Sequence, residues 1–86
     1  AVNDAFVLDA WGRSRETGDS IVMLADGNGD FAKAVGLELD ATGLGLGVRS
    51  QRYAAVLQDG VVRDIWVESV PSDVTVSSAD AVLKTL

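Results

Sequence analysis

An Asp59-Gly60 pair stands between two apolar runs, and it constrains the fold of this chain more than any other feature. A two-residue Asp-Gly loop flanked by apolar runs is a strong signal of a β-hairpin. The pair therefore predicts antiparallel strands over Tyr53–Gln58 and Val61–Val67.

The length of that loop also predicts the register of the hairpin, because a two-residue loop makes Gln58 face Val61. One face then pairs Tyr53 with Trp66, Ala55 with Asp64 and Leu57 with Val62; the other pairs Arg52 with Val67, Ala54 with Ile65 and Val56 with Arg63. We expect the aromatic pair on the first face to contribute about 0.2–1 kcal/mol.

Two helices and one strand are predicted ahead of the hairpin. Residues 2–15 favour a helix with Asn3 as its N-cap, and its apolar residues spread around much of its surface. Residues 20–25 form a short apolar run that is typical of a strand buried on both faces. Residues 30–35 predict a second helix, with Gly36 at the C′ position.

A loop and a third helix complete the predicted order α-β-α-β-β-α. Residues 37–47, which include three alternate glycines, are predicted to form a loop. Residues 77–80 (SSAD) have the shape of a capping box, with aspartate in place of the usual glutamate. The apolar residues that follow lie on one helical stripe: Ala79, Val82, Leu83 and Leu86. With 86 residues, the chain is expected to form a single α/β domain over residues 1–86.

The composition argues against several classes of function. The chain has no cysteine and no histidine, which removes disulfides, thiol nucleophiles, histidine acid–base chemistry and ordinary zinc sites. Its net charge of −6 argues against nucleic acid and anionic membranes as partners. No apolar run approaches the roughly 18 residues of a membrane span. We expect neither a metal nor a cofactor.

The acidic turn at residues 26–30 (DGNGD) invites comparison with a calcium loop. An EF-hand loop beginning at Asp26 requires glycine at its sixth position and glutamate at its twelfth. Those positions hold Phe31 and Leu37, so the calcium frame fails. The alternative is a turn into a helix, in which Asn28 and Asp30 bind free backbone amides.

Two arginines near the first hairpin strand are the candidate binding residues. From composition alone, Arg49 and Arg52 are typical of surface ion pairs, which contribute little. The functional alternative is a site for an anion or an oxygen ligand, because a guanidinium offers a rigid fork of donors. The nearby glycines at 43, 45 and 47 lack the spacing of a dinucleotide fingerprint and indicate a loop that bends tightly. No carboxylate pair has the spacing of an acid–base dyad, although an independent hydrolase stays a third alternative.

Three collinear blocks resemble the later part of a type-5 (atypical, redoxin-type) peroxiredoxin. They are residues 2–11 (VNDAFVLDAW), 23–31 (MLADGNGDF) and 45–54 (GLGVRSQRYA), with DGVV following at residues 59–62. The resemblance covers the whole chain in the family's order and at its spacings. It implies an α/β fold that is the C-terminal portion of a thioredoxin-like fold, without the N-terminal strands and the cysteine helix.

The resemblance also implies an activity and a site. Type-5 peroxiredoxins reduce hydrogen peroxide and organic hydroperoxides through a cysteine thiolate in a Pro-x-x-x-Thr-x-x-Cys motif, assisted by a distant arginine. Arg52, within the SQRY of residues 50–53, matches that arginine, whereas nothing here matches the cysteine motif. The implied partners are a peroxide and a thiol donor such as glutathione, glutaredoxin or thioredoxin.

The expected state of the chain follows from the elements that the resemblance leaves out. We expect a cytoplasmic or organellar protein that is not stably monomeric unless an N-terminal segment, a second chain or homo-oligomerisation replaces the absent strands. A non-enzymatic binding or self-assembly module derived from a peroxiredoxin segment is the alternative.

Overall fold

The chain is divided into two units, Ala1–Ser50 and Gln51–Leu86. The computed structural model describes all 86 residues. The predicted α/β class is confirmed, and the elements are α1 (Ala5–Ser14), α2 (Asp30–Ala34), β1 (Glu38–Asp40), a 3-10 turn (Thr42–Leu44), β2 (Val48–Ser50), β3 (Tyr53–Gln58), β4 (Val61–Val67) and α3 (Ala79–Leu83). The expectation of a single domain over residues 1–86 stays a prediction.

The N-cap of helix α1, in the first unit, lies one residue later than predicted. The N-cap is Asp4, whose carboxylate accepts a hydrogen bond from Val7 N at 2.8 Å. The predicted cap Asn3 was wrong, and its side chain binds Arg49 instead. The helix ends at Ser14, and the chain then turns through residues 15–20, where Glu16 N donates to Arg13 O and Ser20 N donates to Thr17 O.

The strand predicted for residues 20–25 was wrong, since this stretch has no regular secondary structure. A strand requires a hydrogen-bonded neighbour along its length, and no strand of the first unit pairs with it. Met23 instead packs against α1, where a Cβ added at Gly12 would lie 3.4 Å from Met23 Cγ.

Helix α2 is held at its start by a carboxylate that precedes it by several residues. Asp26 Oδ1 accepts from Phe31 N and Asp26 Oδ2 accepts from Ala32 N, each at 3.0 Å. These two bonds hold the pKa of Asp26 below its usual value, and the bond from Phe31 has the larger effect. The prediction that Asn28 and Asp30 bind the free amides at the start of α2 was wrong, because Asp26 binds them. The N-cap residue, Gly29, has a left-handed backbone conformation and no side-chain cap.

The predicted end of α2 at Gly36 is confirmed. Gly36 has φ +73°, and its N–H donates to Lys33 O, while Leu37 N donates to Ala32 O. This pair of bonds is a Schellman motif, for which a residue in the left-handed conformation is required.

The predicted loop over residues 37–47 was wrong at its first part, because β1 pairs with β2 in an antiparallel hairpin. The pairing sets Leu39 opposite Arg49. Two of the three alternate glycines, Gly45 and Gly47, have positive φ in the connection between these strands. Strands of three residues are too short to show the alternation of apolar and polar residues that identifies a strand in sequence.

The hairpin of β3 and β4 in the second unit is confirmed, with Asp59 and Gly60 both at positive φ as in a type I′ turn. The predicted register is correct at Leu57 opposite Val62. Beyond that pair, a bulge inserts Arg63 into β4 and shifts every later pairing by one residue.

The bulge makes the predicted pairing of the two aromatic residues wrong. Trp66 lies opposite Ala54, and Tyr53 lies opposite Val67.

The final helix, α3, also begins later than predicted: its N-cap is Ser78, whose hydroxyl accepts a hydrogen bond from Ala81 N at 3.1 Å.

Few side chains are buried in either unit. The buried apolar residues are Val2, Leu8, Ala32 and Ala41, and Glu68 is the buried charged residue. Large apolar side chains stay exposed in both units, including Phe6 and two members of the predicted α3 stripe, Leu83 and Leu86. No helix combines the length and the apolar character that crossing a membrane would require.

Candidate functional site

Arg52 lies immediately ahead of β3, with an exposed side chain. Its backbone carbonyl accepts a hydrogen bond from Glu68 N at 2.9 Å. This bond continues the β3–β4 ladder one step beyond the Tyr53 and Val67 pair. The backbone at Arg52 is therefore fixed by the hairpin, while its guanidinium projects from an exposed residue.

Glu68, the partner of Arg52 across the ladder, is 5% exposed and accepts hydrogen bonds from one segment of chain. Thr75 donates through its N–H at 2.9 Å and its hydroxyl at 2.8 Å. Ser77 donates through its N–H at 2.8 Å and through its hydroxyl. Four donors on one carboxylate satisfy most of its lone pairs.

Those donors determine the charge state of Glu68. Hydrogen bonds lower the pKa of Glu68 to about 2, and the bond from the Ser77 hydroxyl has the largest effect. Burial acts in the opposite direction but is outweighed. Hydrogen bonds to the charged form of a carboxylate favour that form. Glu68 is consequently an anion at neutral pH.

Glu68 also connects the hairpin to α3. Its N–H binds Arg52 O, and its carboxylate binds Ser77, which directly precedes the helix N-cap Ser78. The predicted cap for α3 began at Ser77, but that hydroxyl is already used by Glu68. The end of β4, the connection and the start of α3 thus share one buried carboxylate.

Glu68 was not predicted from the sequence. Its partners lie seven and nine residues further along the chain, a spacing that matches no helix or strand period. The available signal was a carboxylate at the end of β4 followed by the hydroxyl-rich residues 75–78 (TVSS).

Arg49 has a different role, within the first unit. It lies in β2 and is half-buried, and its Nη2 donates to Asn3 Oδ1 at 2.9 Å. This bond ties β2 to the residue ahead of the α1 cap. Arg49 therefore has a structural role between β2 and the start of α1, and both readings of Arg49 from sequence, a surface ion pair and an anion site, stay predictions.

The chemistry available at Arg52 is that of an exposed, permanently charged donor. The ion pairs Arg13–Asp9 and Arg63–Asp64 do not include it. A guanidinium in this state can bind an anion or peroxide oxygens through several N–H groups. No group of three or more His, Cys, Asp and Glu residues lies close enough together to hold a metal ion.

Comparison with known proteins connects this arrangement to one family. The family profile described as Redoxin matches residues 1–83. The chain is 46% identical to the peroxisomal membrane associated protein 20 of Schizosaccharomyces pombe, covering 100% of this chain and 56% of that protein. It is also 46% identical to peroxiredoxin-2B of Arabidopsis thaliana, covering 100% of this chain and 52% of that protein.

Solved structures give the same result for the fold. The crystal structure of reduced Prx3 from Vibrio vulnificus in complex with hydrogen peroxide is 49% identical, with a TM-score of 0.87 over 98% of this chain and 50% of that chain. The fold is therefore part of a thioredoxin-like fold. The chain spans about half the length of the relatives that it matches.

Proposed function

The chain belongs to the redoxin family, and from that premise we propose that it is the C-terminal part of a type-5 peroxiredoxin. The complete enzyme would be a thiol-dependent peroxidase that reduces hydrogen peroxide and organic hydroperoxides. This chain would supply the active-site arginine, Arg52. Because it contains no cysteine, the peroxidatic thiolate would come from residues outside it.

One observation carries the proposal: a relative with 49% identity and a TM-score of 0.87 is described in complex with hydrogen peroxide. That likeness extends over 98% of this chain, which includes the hairpin that positions Arg52. The exposed guanidinium of Arg52, free of the two surface ion pairs, supports the same assignment.

The proposed role of Arg52 is to bind oxygen atoms as charge develops on them. The thiolate attacks one peroxide oxygen, the O–O bond breaks, and the sulfur becomes a sulfenic acid while the other oxygen leaves as hydroxide or alkoxide and takes up a proton. N–H groups of Arg52 would donate to these oxygens, where they stabilise the developing negative charge. Two thiol groups of the donor then reduce the sulfenic acid to the thiol, and in doing so they form a disulfide and release water.

The proposed partners follow from this cycle. They are a peroxide and a thiol donor of the glutathione, glutaredoxin or thioredoxin class. We propose the cytoplasm as the compartment, with an organelle as the alternative because the fission-yeast relative is named as peroxisomal.

The test combines this chain with the part of peroxiredoxin-2B that it does not match and measures peroxide-dependent thiol oxidation. Arg52→Ala is expected to lower the rate by about 10²–10³-fold, as for loss of one donor to a developing oxyanion. Arg63→Ala is the matched control, because Arg63 is an exposed arginine of the same unit that is paired with Asp64. Equal activity in the two variants would remove Arg52 from the proposed site.

The second candidate function is a self-assembly module without catalytic activity. The exposed apolar side chains of α1 favour it, since Phe6 is 88% exposed and Trp11 is 51% exposed. Sedimentation of the 86-residue chain discriminates between the candidates. An ordered oligomer at low concentration that is indifferent to Arg52→Ala would favour assembly over the peroxidase.

A further inference from the structure

The β3–β4 hairpin ends next to the residue that carries the candidate guanidinium. Strand β3 begins at Tyr53 and β4 ends at Val67, and these two residues are paired. One step beyond them, Glu68 N donates to Arg52 O at 2.9 Å. The end of a hydrogen-bonded ladder opens more easily than its middle, so the backbone at Arg52 depends on what holds Glu68 in place.

The carboxylate of Glu68 supplies that hold. Its Oε1 accepts from the Thr75 hydroxyl at 2.8 Å, and its Oε2 accepts from Thr75 N at 2.9 Å, from Ser77 N at 2.8 Å and from the Ser77 hydroxyl. These bonds close a loop over residues 69–74, which contains a further bond from Asp73 N to Val70 O at 2.9 Å. The carboxylate is therefore tied to a segment that has structure of its own.

The strength of this hold depends on the carboxylate. Glu68 is charged at neutral pH, and hydrogen bonds to a charged acceptor are about twice as strong as those between neutral groups. Alanine at position 68 would leave the donors of Thr75 and Ser77 without this acceptor, and such donors are costly until they reach water. Residues 75–77 would then move away, and the N–H that binds Arg52 O would lose its anchor.

The direction of the Arg52 side chain follows from this backbone. The backbone conformation fixes the Cα–Cβ bond, and the guanidinium lies several bonds further out. A small rotation of the backbone therefore becomes a large displacement of the N–H groups. A displacement of about 1 Å in a group that must meet the reacting atoms can lower a rate by about 10²-fold.

We propose that Glu68 is a positioning residue for peroxide reduction: its buried carboxylate anchors the end of the hairpin and thereby sets the direction of the Arg52 guanidinium. The inference rests on the proposed function, because it takes Arg52 as the group that binds the peroxide oxygens. In this role Glu68 acts through Arg52 alone and has no contact with the peroxide or the thiolate.

The anchor is tested first by a measurement that does not require catalysis. Amide exchange is measured by NMR on the isotope-labelled 86-residue chain. Glu68→Ala is expected to speed exchange of the amide at position 68, which binds Arg52 O, by about tenfold or more, because this end of the ladder then opens more easily. Asp64→Ala is the matched control, since Asp64 is an acid of β4 whose side chain is 48% exposed and paired with Arg63. It should leave that exchange unchanged.

The role in catalysis is tested with this chain combined with the part of peroxiredoxin-2B that it does not match. Arg52 would act on the peroxide and not on the thiol donor. Glu68→Ala should therefore lower kcat/KM for peroxide by about 10–100-fold and leave kcat/KM for the thiol donor unchanged, whereas a loss of folded protein would lower both equally. Glu68→Gln keeps the length of the side chain and a carbonyl acceptor, and it should recover most of the loss.

A double variant shows whether Glu68 acts through Arg52. When Arg52→Ala is already present, Glu68→Ala should cause no further loss of kcat/KM for peroxide, because two residues that serve one interaction have non-additive effects. A role confined to general stability would lower the rate in both backgrounds.

Three outcomes would overturn the inference. They are equal exchange at position 68 in the unaltered chain and in Glu68→Ala, an equal fall in kcat/KM for peroxide and for thiol donor, and an additive loss in the double variant. Each of them leaves the proposed function intact, because the unaltered combination is still active. No peroxide reduction by the unaltered combination would instead reject the proposed function and this positioning role together.

Discussion

Arg52 and Glu68 carry opposite charges and differ in exposure, yet one backbone hydrogen bond joins them. The bond from Glu68 N to Arg52 O is 2.9 Å long, so Glu68 restrains the backbone of the residue that carries the guanidinium. Glu68 is buried and held by four donors from Thr75 and Ser77, whereas Arg52 is exposed. Glu68 thus helps to fix the backbone at Arg52.

Acid is expected to release this arrangement through Glu68. The pKa of Glu68 is lowered from 4.5 to about 2 in the folded chain. Because the unfolded chain binds the proton at higher pH than the folded one, the stabilisation by Glu68 is complete above about pH 4.5 and is lost as the pH falls towards 2. Protection factors of the Thr75 and Ser77 amides, measured between pH 6 and 2, should decline across that window.

Two variants separate Glu68 from other acid effects. Ser77→Ala removes the hydroxyl that lowers the pKa most, so the decline should move to higher pH. Glu68→Gln removes the titrating group, so the Glu68-dependent part of the decline should disappear. An unchanged pH profile in both variants would show that Glu68 does not hold this segment.

Among the secondary-structure elements, those specified by local chemistry were predictable from the sequence. The β3–β4 turn follows from Asp59-Gly60, because both residues adopt positive φ. The end of α2 follows from Gly36 for the same reason. Helix starts were less accurate: Asp4 and Ser78, each one residue after the predicted cap, accept the capping bonds.

The missed features depend on contacts between distant residues. The bulge at Arg63 is a property of the paired strands rather than of a residue type, so the predicted register holds only next to the turn. Residues 20–25 were predicted to form a strand from their composition, but pairing requires a neighbour that the first unit lacks. In the candidate site, Arg52 was one of two candidate arginines from composition and was given its role by family resemblance alone. Glu68 left only the signal of a carboxylate followed by the hydroxyl-rich residues 75–78.

The backbone at Gly60 in the β3–β4 turn is in a conformation that favours glycine. Gly60 has φ +79° with no atom within 4 Å of an added Cβ, so Gly60→Ala changes backbone strain and not packing. We expect the free energy of unfolding to fall by about 1–2 kcal/mol, the cost of a left-handed L-residue. Chemical denaturation of the 86-residue chain, in the presence of the part of peroxiredoxin-2B that it does not match, measures this change.

Gly43→Ala is the control for Gly60→Ala. Gly43 also has open space around an added Cβ, but its φ is not positive. Alanine there restricts the unfolded chain without strain in the folded one, so stability should be unchanged or rise by up to about 1 kcal/mol. Equal destabilisation by both substitutions would remove the turn geometry as the cause.

The chain is rich in apolar residues, but few of their side chains are buried. The chain is 48% hydrophobic, yet four apolar residues are buried. Buried apolar surface is the main favourable contribution to folding. A chain that buries this little is expected to depend on a partner for its stability, and its relatives are about twice as long.

Stability should therefore rise with the concentration of the part of peroxiredoxin-2B that this chain does not match. A partner that binds only the folded chain adds RT ln(1 + [L]/Kd) to the free energy of unfolding, or about 2.7 kcal/mol at 100 times Kd. Urea unfolding of the isotope-labelled chain, followed by NMR across a series of concentrations of the peroxiredoxin-2B half, should give this logarithmic dependence. A stability that is already high alone and indifferent to the partner would mean that the exposed apolar residues are a tolerated surface and that this chain folds independently.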